Sequence, residues 1–205
     1  GVMSNKSNVL VCGIGIKGLK YPSKLNKIFV REYRAWSGML LRCTEKEWSR
    51  KPTYINTTCS ENFKNYSYFY EWCNKQTGFK NVDEKGKVWH LDKDLLVKGN
   101  KHYSEDVCVF VPQRINSLLI SCKKSRGTTP VGVYWYDAKA KFISQCTDVS
   151  GESKHLGSYD TQEEAFQAYK VYKEALIKQI ANEYKDRLDQ RAYNALMNYE
   201  VNIND

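Results

Sequence analysis

The sequence predicts an α+β protein assembled from two dissimilar parts, and three observations carry that expectation. Aromatic and aliphatic residues recur at helical steps through the first third, and the middle alternates with period two around a charged strand. The last third reads as three short strands followed by one long, capped helix. Residues 123–130, "KKSRGTTP", separate the last two regions with charge, Gly, Thr and Pro and no apolar period, which is the composition of a linker. A chain of 205 residues suits one large domain or two small ones, and 13% aromatic content argues against disorder. No apolar run approaches the ~20 residues that span a bilayer. The start lacks the apolar core of a secretory signal, so a cytoplasmic protein is expected.

Near the start, "VLVCGIGIKG" imitates a dinucleotide fingerprint with Gly13, Gly15 and Gly18. That motif needs a helix directly behind it to meet the pyrophosphate, whereas Pro22 and Ser23 follow here. Residues 1–27 therefore read as a flexible basic arm. From Ile28 to Cys43, Phe29, Tyr33, Trp36, Met39 or Leu40, and Cys43 form a helical stripe with Arg31, Arg34 and Arg42 off it. A second aromatic helix, with Ser60 as its candidate N-cap, is expected to carry Phe63, Tyr66, Phe69 or Tyr70, and Cys73 on one face. After the turn signal "DEKGK", "VWHLDKDLL" alternates as a strand. Trp89, Leu91 and Leu95 face one way and His90, Asp92 and Asp94 the other. "KGNKHYSED" reads as a turn, "VCVFV" as a second strand stopped by Pro112, and "QRINSLLISCKK" as a helix.

Beyond the linker, "VGVYWYD", "KFISQCT" and "KHLGSYD" read as strands. Thr161 and Glu164 then form a capping box. It opens a helix with Ala165, Tyr169, Tyr172, Leu176 and Ile180 along one stripe. Three strands backed by one helix can be stable alone. The tail from residue 186 continues helically and ends in a loose "VNIND".

The net charge is +9, and residues 1–60 hold 11 Lys and Arg against 3 Asp and Glu. A basic segment of this kind suits a polyanion, because neutralising phosphates releases counterions; a basic surface kept for solubility is the plainer reading. Seven cysteines, without a C-x-x-C pair, read as free thiols in a reducing compartment. A zinc site drawn from Cys43, Cys59, Cys73 and Cys108 lacks the closely spaced pairs that structural zinc uses. Alternating charges on a half-exposed strand are ordinarily its solvated face, and Asn116 at a helix start can simply cap it. Oxygen ligands at Asp92, Asp94 and Asn116 would equally suit a hard cation. Spacing alone leaves both readings open.

Two resemblances sharpen the choice. Gly132-Val133, Lys141-Phe142, "HLGSYDT" and "EEAFQAY" resemble an AP2-type DNA-binding domain over residues 131–185. That resemblance implies a three-stranded antiparallel sheet packed on one helix, with Tyr134, Tyr136, Lys141, Ile143, Gln145 and Thr147 facing DNA. Plant members favour Arg at several of these places. Residues 28–122 resemble the HNH nuclease family of phages and mobile elements, a ββα-metal hairpin. Leu91-Asp92-Lys93 falls on its first strand, Gly99-Asn100 on its loop and "VCVFVPQRIN" on the remainder.

The HNH resemblance implies a DNA endonuclease that hydrolyses phosphodiesters with Mg²⁺ (or Mn²⁺), with metal ligands Asp92, Asp94 and Asn116, and a single site implies nicking. The family's base histidine is replaced by Lys93, so the base falls to His90, His102 or Lys93 itself. Lys17, Lys20, Lys24, Arg31, Arg34, Arg42, Asn100 and Arg114 would contact double-stranded DNA. No membrane or small-molecule cofactor is expected, and a phage-encoded chain would work in the bacterial cytoplasm, as homing endonucleases of this type do. Two alternatives remain: a DNA-binding protein on an inactive HNH scaffold, or a phage protein that inhibits a host protein through its aromatic helices.

Overall fold

The computed structural model describes residues 9–120 and 127–205. Among these, six α-helices and several small sheets make an α+β protein. The chain divides into two compact units. One is Gly1–Pro112 with Arg187–Asp189, and the other is Gln113–Asp186 with Gln190–Asp205. The division falls upstream of residues 123–130, of which 123–126 lie outside the described residues. The helix after Pro112, expected within 28–122, groups with the second unit. Among the described residues no helix is long and apolar enough to cross a membrane.

In the first unit, β1 (Lys24–Leu25) and β2 (Ile28–Phe29) form a short antiparallel ribbon ahead of α1 (Arg31–Arg42). The expected helix therefore starts three residues late, with Asn26 and Lys27 in left-handed turn conformations. Helix α2 (Glu45–Arg50) is capped by Thr44, which accepts the Glu47 N–H. Helix α3 (Tyr66–Lys75) is capped by Asn65 rather than Ser60. The Ser60 hydroxyl instead accepts the Phe63 N–H of a preceding 3-10 turn. Trp36, Met39, Leu40, Phe63, Tyr66, Phe69 and Cys73 are all fully buried, so the two aromatic stripes are core, as their periodicity predicts.

Of the expected arm 1–27, residues 1–8 lie outside the described residues, and the described part is tied to this core around Gly15, Ile16 and Tyr21. Ile16 donates its N–H to Lys64 O and accepts from Tyr66 N–H. Tyr21 stacks on Tyr70 at 3.9 Å. A Cβ at Gly15 would lie 2.3 Å from Leu40 Cδ1, so only glycine allows the approach.

The charged hairpin follows. β4 (His90–Asp92) pairs antiparallel with β6 (Val109–Val111), and between them β5 (His102–Tyr103) runs parallel to β3 (Thr58–Cys59). Trp89 and Leu95 are buried on the expected inner face. The strand is shorter than its alternation suggests, for a reason that lies in Asp92 itself (below).

In the second unit, α4 (Gln113–Leu119) precedes a three-stranded antiparallel sheet of β7 (Val133–Tyr136), β8 (Lys141–Thr147) and β9 (Ser153–Tyr159). Helix α5 (Gln162–Tyr184) packs on that sheet and is capped by Thr161, whose hydroxyl accepts the Glu164 N–H. Ala165, Tyr169, Leu176 and Ile180 are buried along its stripe. Helix α6 (Gln190–Met197) carries the tail. The tail is anchored at Val201, which is buried and whose carbonyl accepts from Lys170 Nζ at 2.9 Å, while residues 202–204 are exposed.

Candidate functional site

Asp92 ends β4 by turning its own side chain onto the backbone. Its Oδ1 accepts the N–H groups of Asp94 at 3.0 Å and Leu95 at 2.8 Å. This local bond offers the chain an alternative to the strand ladder, and residues 93–99 become a turn. Burial first, and the neighbouring Asp94 charge second, push the Asp92 carboxyl up from 3.8 to about 6. Asp94 is exposed.

Lys93 therefore does not continue the strand. Its side chain is mostly buried, with Nζ 3.7 Å from Asp94 and 5.6 Å from the Tyr103 ring centre, a setting that suits a cation. Asn100 stitches the loop shut. Its Nδ2 donates to Lys93 O at 2.7 Å and to His102 O at 2.8 Å, and its Oδ1 accepts the His102 N–H. Asn100 is thus a loop anchor, a role that the resemblance to a DNA-contacting asparagine did not foresee.

The two imidazoles differ. His102 is exposed, and the β3–β5 pairing brings its Nδ1 within 2.7 Å of Thr58 Oγ1. In the tautomer whose Nδ1–H donates to Thr58, Nε2 is left as an acceptor. His90, on β4, lies below the ordinary imidazole value because its ring is partly desolvated and because Arg42 is near. Asp92, Asp94, His90, Lys93, Asn100 and His102 all belong to the first unit. Asn116 lies in α4, half-buried, in the second.

The donor chemistry at the end of β4 suits a hard cation. Two carboxylates sit two residues apart, and one is half-buried and costly to ionise without a positive partner. Among the described residues, no three His, Cys, Asp or Glu side chains gather as a metal-holding group, and the cysteine set weighed for zinc does not assemble into one.

The expected DNA contacts are spread unevenly. Lys20 is ion-paired with Glu71 at 2.8 Å, and Lys24 lies 4.4 Å from the Phe29 ring centre. Lys17 is half-buried. Arg31, Arg34 and Arg42 share one face of α1 and line a groove of about 180 Å³ together with His90. In the second unit, Arg114 is ion-paired with Glu183 and donates to Val149 O. On the three-stranded sheet, Tyr134 pairs with Ile143 and Tyr136 with Lys141, so these four share a face. Tyr134, Tyr136, Gln145 and Thr147 are exposed there, and Lys141 is ion-paired with Asp160. Ile143 is 3% exposed and is not a contact residue, contrary to the alternation. No known protein family, curated protein or solved structure matches this chain.

Proposed function

We propose that this chain is a DNA endonuclease of the HNH type, with an AP2-like sheet as its reader. The observation that carries the reading is the half-buried, hard-to-ionise Asp92 beside Asp94, at the end of the first strand of a strand–loop–strand–helix order. Carboxyls perturbed by burial plus a like charge concentrate at working sites. Asp92 and Asp94 would hold Mg²⁺, which supplies polarisation of the phosphoryl oxygens and support for the leaving oxygen. His102, oriented by Thr58, is the base that takes the proton of the attacking water through Nε2. Tyr134, Tyr136, Gln145 and Thr147 present donors, acceptors and ring edges suited to groove readout.

A specific observation favours a second reading, DNA binding without cleavage. Lys93 stands where the family keeps its histidine and is already held by Asp94 and Tyr103. Supercoiled plasmid incubated with Mg²⁺, Mn²⁺ or EDTA separates the two. The nuclease reading expects metal-dependent nicking that Asp92→Ala abolishes and His102→Gln lowers by about 10²-fold or more. Intact DNA binding with no nicking in either metal establishes the binder.

A further inference from the structure

The groove on α1 is built in a way the hairpin chemistry does not explain. Arg34, Gly38 and Arg42 follow at steps of four, so they form one stripe, with a guanidinium one turn to either side of the glycine. The opposite wall is the segment carrying Trp89 and His90. Glycine is the poorest helix former after proline, and mid-helix positions keep it when something must come close. Nothing in the protein does: a Cβ at Gly38 would meet no atom within 4 Å.

The arginines also lack an acidic partner: among the described residues, no carboxylate lies within 4.0 Å of Arg31, Arg34 or Arg42. Elsewhere in the unit Glu71 takes Lys20, and Glu47 takes Arg50 and Lys51. Arg42 is half-buried, with the hydroxyl of Tyr103 at 3.2 Å and the Tyr54 ring at 5.6 Å as neighbours, neither of them an anion. Arg31 donates to Lys80 O. Arg31 and Arg34 stand in solvent, so the partly desolvated Arg42, held only by neutral phenol groups, is the charge that an anion in the groove would offset.

We propose that this groove is a phosphodiester-binding site, with the phosphate oxygens over Gly38 between Arg34 and Arg42. Guanidinium forks on both sides match the geometry of phosphate oxygens. The buried Trp89 and the aromatic side chains beneath the groove give the wall an apolar character that suits a sugar–phosphate chain better than a free, fully hydrated ion. Naming a nucleic-acid strand as the source rests on the nuclease reading; the anion site itself rests on the groove.

Gly38→Ala tests it, because packing and binding predict opposite signs. The extra methyl has open space, so the variant of the full chain should unfold at a higher urea concentration than the wild type. Its affinity for duplex DNA should fall at least tenfold, and Arg34→Gln should weaken binding similarly. The dinucleotide TpT serves as a second probe, followed through the His90 ring signals by NMR. Wild-type DNA binding that Gly38→Ala leaves intact overturns the groove and spares the nuclease reading. TpT binding lost in Gly38→Ala, with no duplex binding by the wild type, supports the groove and removes the nuclease reading. Absence of both overturns both.

Discussion

Replacing Asp92 by Asn isolates the charge on the carboxyl that ends β4. The amide oxygen can still accept the N–H groups of Asp94 and Leu95, so the turn survives, and only the ionisation is removed. Burial and Asp94 hold the carboxyl at about 6 instead of 3.8. Its ionised form is thereby disfavoured by about 3 kcal/mol in the folded state. Because the folded value lies above the unfolded one, the stability Asp92 contributes is fully present below 3.8 and is lost as pH rises through about 6. The amide has nothing to lose. Asp92→Asn should therefore exceed the wild type by about 3 kcal/mol near pH 8 and by less than about 1 kcal/mol near pH 4.

Urea unfolding followed by tryptophan fluorescence at several pH values measures the difference, since Trp36, Trp48, Trp72 and Trp89 all lie in the first unit. Near pH 8, millimolar Mg²⁺ should raise the wild-type midpoint and leave Asp92→Asn unmoved, because a ligand stabilises only the state that binds it. A difference that stays constant across pH would refute the burial argument. A wild-type midpoint indifferent to Mg²⁺ would refute the cation assignment.

Two further outcomes follow from local geometry. Asn100→Ala removes three hydrogen bonds that close the 93–102 loop, so it should lose roughly 1–3 kcal/mol of stability and bring proteolytic cleavage into that loop. Gly132→Ala places a Cβ about 2.0 Å from the Tyr169 ring at a φ of +76°, which should lower the urea midpoint of the second unit by about 1–3 kcal/mol, read from the Trp135 signal.

The sequence disclosed whatever depends on a short window. Stripes at steps of three and four located α1, α3 and α5, and Thr161 announced its helix because its partner Glu164 is three residues away. Period-two alternation found β4 and placed Trp89 and Leu95 inside. It failed at the next step, since alternation cannot register that one carboxylate prefers two backbone N–H groups to the ladder. Ile143 misled for a related reason. Alternation assigns a face correctly, yet a face is not an exposure, and neighbours on adjacent strands decide how much of a branched side chain solvent reaches.

Residues 9–27 show the same limit at longer range. Gly13, Gly15 and Gly18 look like freedom in the sequence. Gly15 is instead a constraint imposed by Trp36 and Leu40, more than twenty residues downstream. The α1 groove is the most instructive case. Arg31, Arg34 and Arg42 were visible in the sequence as residues off the apolar stripe, but the wall that makes a groove of them comes from residues 88–91. A glycine between two arginines acquires chemical meaning only when a segment some fifty residues away stands opposite it across a groove. The proposed phosphodiester site therefore rests on a pairing of segments that no short window of sequence contains.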